Sequence, residues 1–253
     1  MNVKEILNWY IDAGVDVICG DSAMSAIKPA APVASVAPVE EPQPVSDFSQ
    51  MGMLACKNAR QLCEKAQNLQ ELEKFVESFD GCSLKATAKK TVFGDGNENA
   101  DILLVGEAPG ADEDREGKPF VGRSGMLLDK MLAAAGIERK NCYITNVLMW
   151  RPPGNRTPTS AEVAVSMPFL KRKIELINPK IIVALGAPAA NALTDTTDPI
   201  SKIRGKWLEY ELAVGKKIDL LPTFHPAYLL RNPAHKDKSW ADLLKLRKKL
   251  FNS

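Results

Sequence analysis

From about residue 82 the chain alternates short apolar runs with longer stretches of helical periodicity, and this alternation constrains the fold more than any other feature. The runs lie at 101–105, 142–147, 180–185 and 218–224, and the helical patterns at 122–136, 160–178, 186–194 and 236–251. The runs are mainly apolar rather than apolar at every second residue. That is the pattern of a strand covered by helices on both faces of a parallel sheet. Thr159-Ser160-Ala161-Glu162 has the form of a capped helix start, and Gly136 that of a helix stop. Residues 205–217 read as a strand and turn leading into the last run. The expected fold class is α/β: a three-layer α/β/α core around a four-stranded, mostly parallel sheet.

The N-terminal part has a different character. Residues 2–13 read as a short amphipathic helix, with Val3, Ile6, Leu7, Tyr10 and Ile11 on one side. Pro29, Pro32, Pro38, Pro42 and Pro44 then fall among Ala, Val and Glu, a composition that reads as an extended linker. Helical periodicity returns over 52–79. The expected organisation is an appendage at 1–21, a flexible linker at 22–50 and a folded domain at 51–253. No period of 20–50 residues repeats, which argues against a solenoid.

Charge divides the same way. Residues 1–81 carry 6 Lys/Arg against 12 Asp/Glu, a net of −6, whereas residues 82–253 carry 27 against 19, a net of +8. A basic domain with an acidic appendage suits a nucleic-acid partner. The five cysteines, Cys19, Cys56, Cys63, Cys82 and Cys142, are odd in number and form no Cys-x-x-Cys, which points to a reducing cytoplasm. No apolar run approaches the ~20 residues needed to span a bilayer. A secretory leader is not expected either.

Chemistry gathers just beyond the carboxyl ends of the expected strands, where open α/β sheets bind ligands. Glu107 follows the first strand in Gly106-Glu107-Ala108-Pro109-Gly110, Asn146 ends the second, and His225 follows the fourth. An acid, an amide and an imidazole converging there can read a polar ring and assist bond cleavage. The spacing Gly106-x-x-x-Gly110 is not the Gly-x-Gly-x-x-Gly of a dinucleotide site.

Several separated segments together resemble the family-4 uracil-DNA glycosylases. They are Cys82-Ser83-Leu84, Val92-Phe93-Gly94-Asp95-Gly96, the stretch 106–122, Ile144-Thr145-Asn146-Val147, Arg151-Pro152-Pro153-Gly154-Asn155-Arg156 and His225-Pro226-Ala227-Tyr228-Leu229-Leu230-Arg231. The resemblance covers roughly residues 82–250. It implies a monofunctional glycosylase of base-excision repair that hydrolyses the N-glycosidic bond of a flipped deoxyuridine, leaving an abasic site and free uracil. It implies that Glu107 positions the attacking water and stabilises the cationic sugar. His225 would hydrogen-bond uracil O2, and Asn155 would help hold the water or the sugar. Phe120 would stack on the base, Asn146 would read its Watson–Crick edge, and Glu113 would lie beside C5 and exclude a thymine methyl. Ala108 stands in the uracil pocket where a glycine is usual. Tyr228, Leu229, Leu230 and Arg231 correspond to the intercalation loop, and Arg123, Arg156 and Lys118 become candidates for phosphate contacts. Asp112, Asp114 and Glu116 read as solvated surface charge, and His235 matches no motif.

The chain departs from that family at its iron–sulfur cluster. The four ligand positions fall at Phe79, Cys82, Trp150 and Ser166, and one thiolate is too few to hold a cluster. No metal or cofactor is therefore expected, with Phe79 and Trp150 filling the volume. A displaced cluster on Cys56, Cys63, Cys82 and Cys142 would have a spacing unlike known ligand patterns. The expected partner is uracil-containing DNA, with a repair or replication protein as the candidate partner of the N-terminal helix. The expected setting is a monomer in a bacterial-type cytoplasm, at the nucleoid and away from membranes. Two other readings stay open: a non-catalytic DNA- or polymerase-associated relative, and a glycosylase for another damaged base.

Overall fold

The computed structural model describes residues 46–194, 196–212 and 215–251. The amphipathic segment 2–13 and nearly all of the Pro-rich stretch lie outside the described residues. The first described helix, α1 (Ser46–Lys65), starts ahead of position 51, where the composition placed the domain. The single helical pattern read over 52–79 is two helices, α1 and α2 (Leu69–Ser78). They are separated because Asn68 caps α2, its side chain accepting from the Glu71 N–H at 2.8 Å.

The sheet has six strands: β1 (Asp95–Gly96), β2 (Ile102–Gly106), β3 (Cys142–Asn146), β4 (Ile181–Leu185), β5 (Leu208–Glu211) and β6 (Lys217–Thr223). Their order is β1-β3-β2-β4-β6-β5. The middle four are mutually parallel and are the four read from the sequence. The two outer strands are antiparallel additions. β5 falls within the expected 205–217 segment. β1 is only two residues long, too short to leave a periodic signal.

The apolar runs are continuous because both faces of the sheet are covered. Leu103, Val105, Tyr143, Ile182 and Ala184 point into one core, with α1, α2, α5 (Ser160–Ile177) and α6 (Ala187–Thr194). Ile102, Leu104, Cys142, Ile144 and Val183 point into the other, with α4 (Arg123–Ala134) and α9 (Lys236–Phe251). The alternation of neighbours between faces is the two-residue repeat of a strand. α5 begins as its sequence indicates. Glu162 N–H donates to Thr159 Oγ1 at 3.2 Å and Thr159 N–H to the Glu162 carboxylate at 2.8 Å, a reciprocal cap. Short helices α3 (Ala111–Glu116), α7 (Ile200–Ile203) and α8 (Pro226–Arg231) join these elements. No described helix is long and apolar enough to cross a membrane.

Candidate active site

In-register pairing sets the geometry. Gly106, the last residue of β2, lies opposite Asn146, the last of β3. The pairing runs on past the strand ends, with Val147 N–H donating to the Gly106 carbonyl at 2.9 Å and Leu148 N–H to the Glu107 carbonyl at 3.0 Å, which holds Glu107 against the segment that follows Asn146. Gly106 has to be glycine: a Cβ there would sit 2.3 Å from Asn146 Oδ1 and 2.8 Å from the Phe120 ring. Phe120 itself has a positive φ of 54°, a strained conformation for a bulky residue. Arg139 holds it there, donating to the carbonyls of Pro119 at 2.9 Å and Phe120 at 3.2 Å. His225 follows β6, and its ring centre lies 5.5 Å from that of Phe120.

Two adjoining hollows result. The smaller, about 140 Å³, is lined by Ala108, Gly110, Glu113, Phe120, Ser124, Asn146, His225 and Ala227. The larger cleft, about 480 Å³, shares Ala108, Gly110, His225 and Ala227 and adds Glu107, Asn155, Arg156, Tyr228 and Arg231. One chamber with room for a single ring thus adjoins a cleft that carries the acid.

Three polar groups at this junction have no partner within the described protein. They are the Glu107 carboxylate, the Asn146 amide and His225 Nε2. Glu107 and His225 are half-buried and Asn146 is buried, and with no protein partner all three groups on the adjoining hollows are free to bond a ligand. Burial raises the Glu107 carboxyl above its usual range. Burial, and secondarily the Arg231 charge, lowers His225 to about 4. His225 Nδ1 accepts from the Ala227 N–H at 3.1 Å, which leaves the proton of the neutral ring on Nε2. The imidazole is thus a neutral donor with a fixed tautomer.

The other sequence-derived candidates divide. Glu113 lines the small chamber, but both its oxygens are engaged: it accepts from the N–H of Gly110 (3.1 Å), Val121 (3.1 Å) and Gly122 (2.9 Å). It clamps the loop carrying Phe120. Asp114, read as surface charge, is buried at 3% exposure and accepts from the Lys89 N–H at 2.8 Å, a correction that only the tertiary fold supplies. Asp112 and Glu116 do face solvent in part, in ion pairs with Arg115. Asn155 stands on the cleft rim with its Oδ1 accepting from Arg151 Nε at 2.8 Å. Arg156 reaches the rim too, but its guanidinium forks onto Glu162 at 2.6 and 2.9 Å. Arg123 and Lys118 are exposed, and neither lines the two hollows.

The segment 228–231 is a helix, α8, not a uniform wedge. Leu229 is completely buried, so it is removed from the set of possible intercalating side chains. Tyr228 stacks on Phe224 at 4.9 Å, and its hydroxyl meets His235 Nδ1 at 2.7 Å. That contact gives His235, unassigned in sequence, a structural place. Leu230 (37% exposed) and Arg231 remain on the surface. Leu229→Ala is therefore expected to cost about 2–5 kcal/mol of stability in denaturant titration. Leu230→Ala should leave stability within about 0.5 kcal/mol and weaken cleavage in duplex DNA more than in single strands.

Sequence reasoning missed Lys173. It is fully buried on α5 and donates to Thr145 Oγ1 at 2.8 Å and to the Phe93 carbonyl. Burial lowers its ammonium to about 7. It braces β3 one residue before Asn146, and no local motif announces a lysine in that role.

The chain belongs to the uracil DNA glycosylase superfamily, whose family model matches residues 93–244. Within the superfamily its likeness is to the type-4 enzymes. It is 48% identical over 158 residues to a type-4 uracil-DNA glycosylase of Thermotoga maritima, covering 62% of this chain and 80% of that one. It is 42% identical over 184 residues to a type-4 uracil-DNA glycosylase of Archaeoglobus fulgidus, covering 71% and 92% respectively. A DNA polymerase of Bacillus phage SP01 is 36% identical over 162 residues, which is 64% of this chain and 17% of the polymerase.

The residues at the expected cluster positions do not fit an iron–sulfur group. Phe79 and Trp150 are buried and stacked, with ring centres 6.5 Å apart, and Phe79 packs edge-on to Phe169 at 5.1 Å. Trp150 Nε1 donates to Thr91 Oγ1 at 3.1 Å. Ser166 Oγ is buried without a partner, and Cys82 is the one thiol. Two rings, a hydroxyl and a thiol are not a four-thiolate set. The displaced set fails on geometry: Cys142 lies in the opposite core from Cys63 and Cys82, across the sheet. Among the described residues no cluster of three or more His, Cys, Asp or Glu could hold a metal ion. Trp150→Ala is expected to cost about 3–5 kcal/mol in denaturant titration, as for a large ring removed from a filled core.

Proposed function

We propose that the protein is a monofunctional uracil-DNA glycosylase of base-excision repair, working on a nucleotide flipped out of the DNA stack. The carrying observation is the junction of the two hollows, where the Glu107 carboxylate, the Asn146 amide and His225 Nε2 stand unpartnered. The base enters the small chamber and the sugar stays at its mouth beside Glu107. Phe120 stacks on the ring, a contact worth about 1–3 kcal/mol. Asn146 donates to uracil O4 and accepts from N3–H. Cytosine presents the reversed pattern there, so a fixed amide orientation carries the discrimination. Glu113 stands at the chamber wall, its carboxylate held by three backbone donors.

As the C1′–N1 bond breaks, its electron pair moves onto the base, and His225 Nε2–H hydrogen-bonds the oxygen O2 where charge builds up. The ionised Glu107 stabilises the oxocarbenium-like sugar and orients the water that adds to C1′. Proton transfer from that water and onto the departing base completes the balance. Arg231, Leu230, Arg123 and Lys118 are the exposed candidates to meet DNA, with Asn155 and Arg156 as rim groups. Incubation of the purified protein with oligonucleotides carrying one uracil, single-stranded or opposite G or A, tests this. Alkali-dependent strand cleavage is expected; intact DNA from folded, DNA-bound protein would refute catalysis and favour a non-catalytic relative.

The same reading makes the enzyme free of an iron–sulfur cluster, supported by the packing of Phe79 and Trp150. Protein purified without oxygen should contain no stoichiometric iron or labile sulfide while cleaving uracil-DNA. Segment 2–13 is read as a docking peptide for a repair or replication protein, and the catalytic domain as a monomer. Removal of residues 1–45 should then leave cleavage of short oligonucleotides unchanged, and a lost activity in a folded truncation would count against that division.

A further inference from the structure

We infer that Asp242, on α9, is a positioning residue for His225, acting through a buried ionic clamp on the end of β6. The inference rests on the catalytic reading of His225. Asp242 is buried (1% exposed), and its carboxylate accepts from Thr223 Oγ1 at 2.7 Å and from Arg204 at 2.6 and 3.1 Å. Thr223 is the last residue of β6, two before His225. Arg204 also lies over the Phe224 ring, 5.4 Å from its centre, and donates to the Lys238 carbonyl. The two residues immediately preceding His225 are thus both fixed by one side-chain network from α9 and the β4–β5 connection.

The backbone is held as well. Gly186 N–H donates to the Thr223 carbonyl at 2.8 Å, and Gly205 N–H to the Pro222 carbonyl at 2.8 Å. Gly186 has φ +94°, and a Cβ on it would come within 3.1 Å of His225 Cβ. His225 is therefore packed from below and aimed by the strand end above which it sits. A buried Arg–Asp pair contributes little net stability over apolar packing, because desolvation offsets the attraction. What it adds is direction: charge-assisted, forked hydrogen bonds fix angles that a leucine contact leaves loose. A donor that must meet a developing oxyanion needs such fixing.

A mutant cycle in single-turnover cleavage of uracil-DNA tests this. Asp242→Asn is expected to slow the chemical step about tenfold, as a small misplacement would, with DNA affinity unchanged. In a His225→Ala background the same change should add less than about twofold, because the group it aims is gone. Equal losses in both backgrounds would overturn the inference, since Asp242 would then serve the fold in general. A wild-type rate for Asp242→Asn beside a slow His225→Ala would overturn it alone; a wild-type rate for His225→Ala would overturn it together with the catalytic reading. If Asp242→Asn does not fold, Thr223→Val removes the same hydrogen bond and is read in the same cycle.

Discussion

Glu107→Gln is expected to slow uracil release by about a hundred- to a thousandfold, the usual effect of deleting one preorganised electrostatic group. The substitution keeps the volume and removes only the charge. The Glu107 carboxylate makes no hydrogen bond to the described protein, so no native contact is lost with it. Stability should hold or rise, because a half-buried carboxylate already shifted upward by desolvation no longer has to be accommodated. DNA affinity should also hold, since Glu107 lies in the cleft rather than in the base chamber. Single-turnover rates beside equilibrium binding separate the two effects. A near-normal rate for Glu107→Gln would remove the acid from the mechanism.

His225→Phe should cost a comparable factor, about a hundredfold or more, by removing the Nε2–H donor while keeping a ring against Phe120. The pH dependence gives an independent check. Because His225 is held near 4, the rate should not titrate across the ordinary histidine range near 6.5; on the acid side it should fall first as Glu107, raised by burial, takes up a proton and loses the charge the step needs. Folding stability carries the complementary sign. The unfolded chain binds a proton at this residue near 6.5 and the folded one only near 4, so stability from this group falls as pH drops through that window and levels off below it. His225→Phe should abolish that component in denaturation midpoints measured between pH 4 and 7. A rate profile with a step near 6.5 that vanishes in the variant would contradict a neutral, desolvated imidazole.

The four parallel strands and most helices were legible because their signals are local. Continuous apolar runs mark strands covered on both faces, and Thr159 with Glu162 marks a helix start wherever it occurs. The site motifs were legible for a related reason, since Glu107, Asn146 and His225 each follow or end a strand. The edge strand β1 was not, because two residues carry no period. The burial of Asp114 was not, because acids on one short helix look alike until their burial and backbone donors are known.

By itself the sequence determined the order of elements and the residue types available for chemistry, with a single cysteine, Cys82, at the four positions where the resemblance puts cluster ligands. Tertiary structure alone decided which groups meet. It set Gly106 opposite Asn146, buried Leu229 while exposing Leu230, and brought Asp242 from the last helix under the strand end that carries His225. The physical reason is range. Periodicity and capping act over a few residues along the chain, whereas strand register sets Ile102 beside Ile181 and ring packing brings Phe120 against His225, residues far apart in the chain.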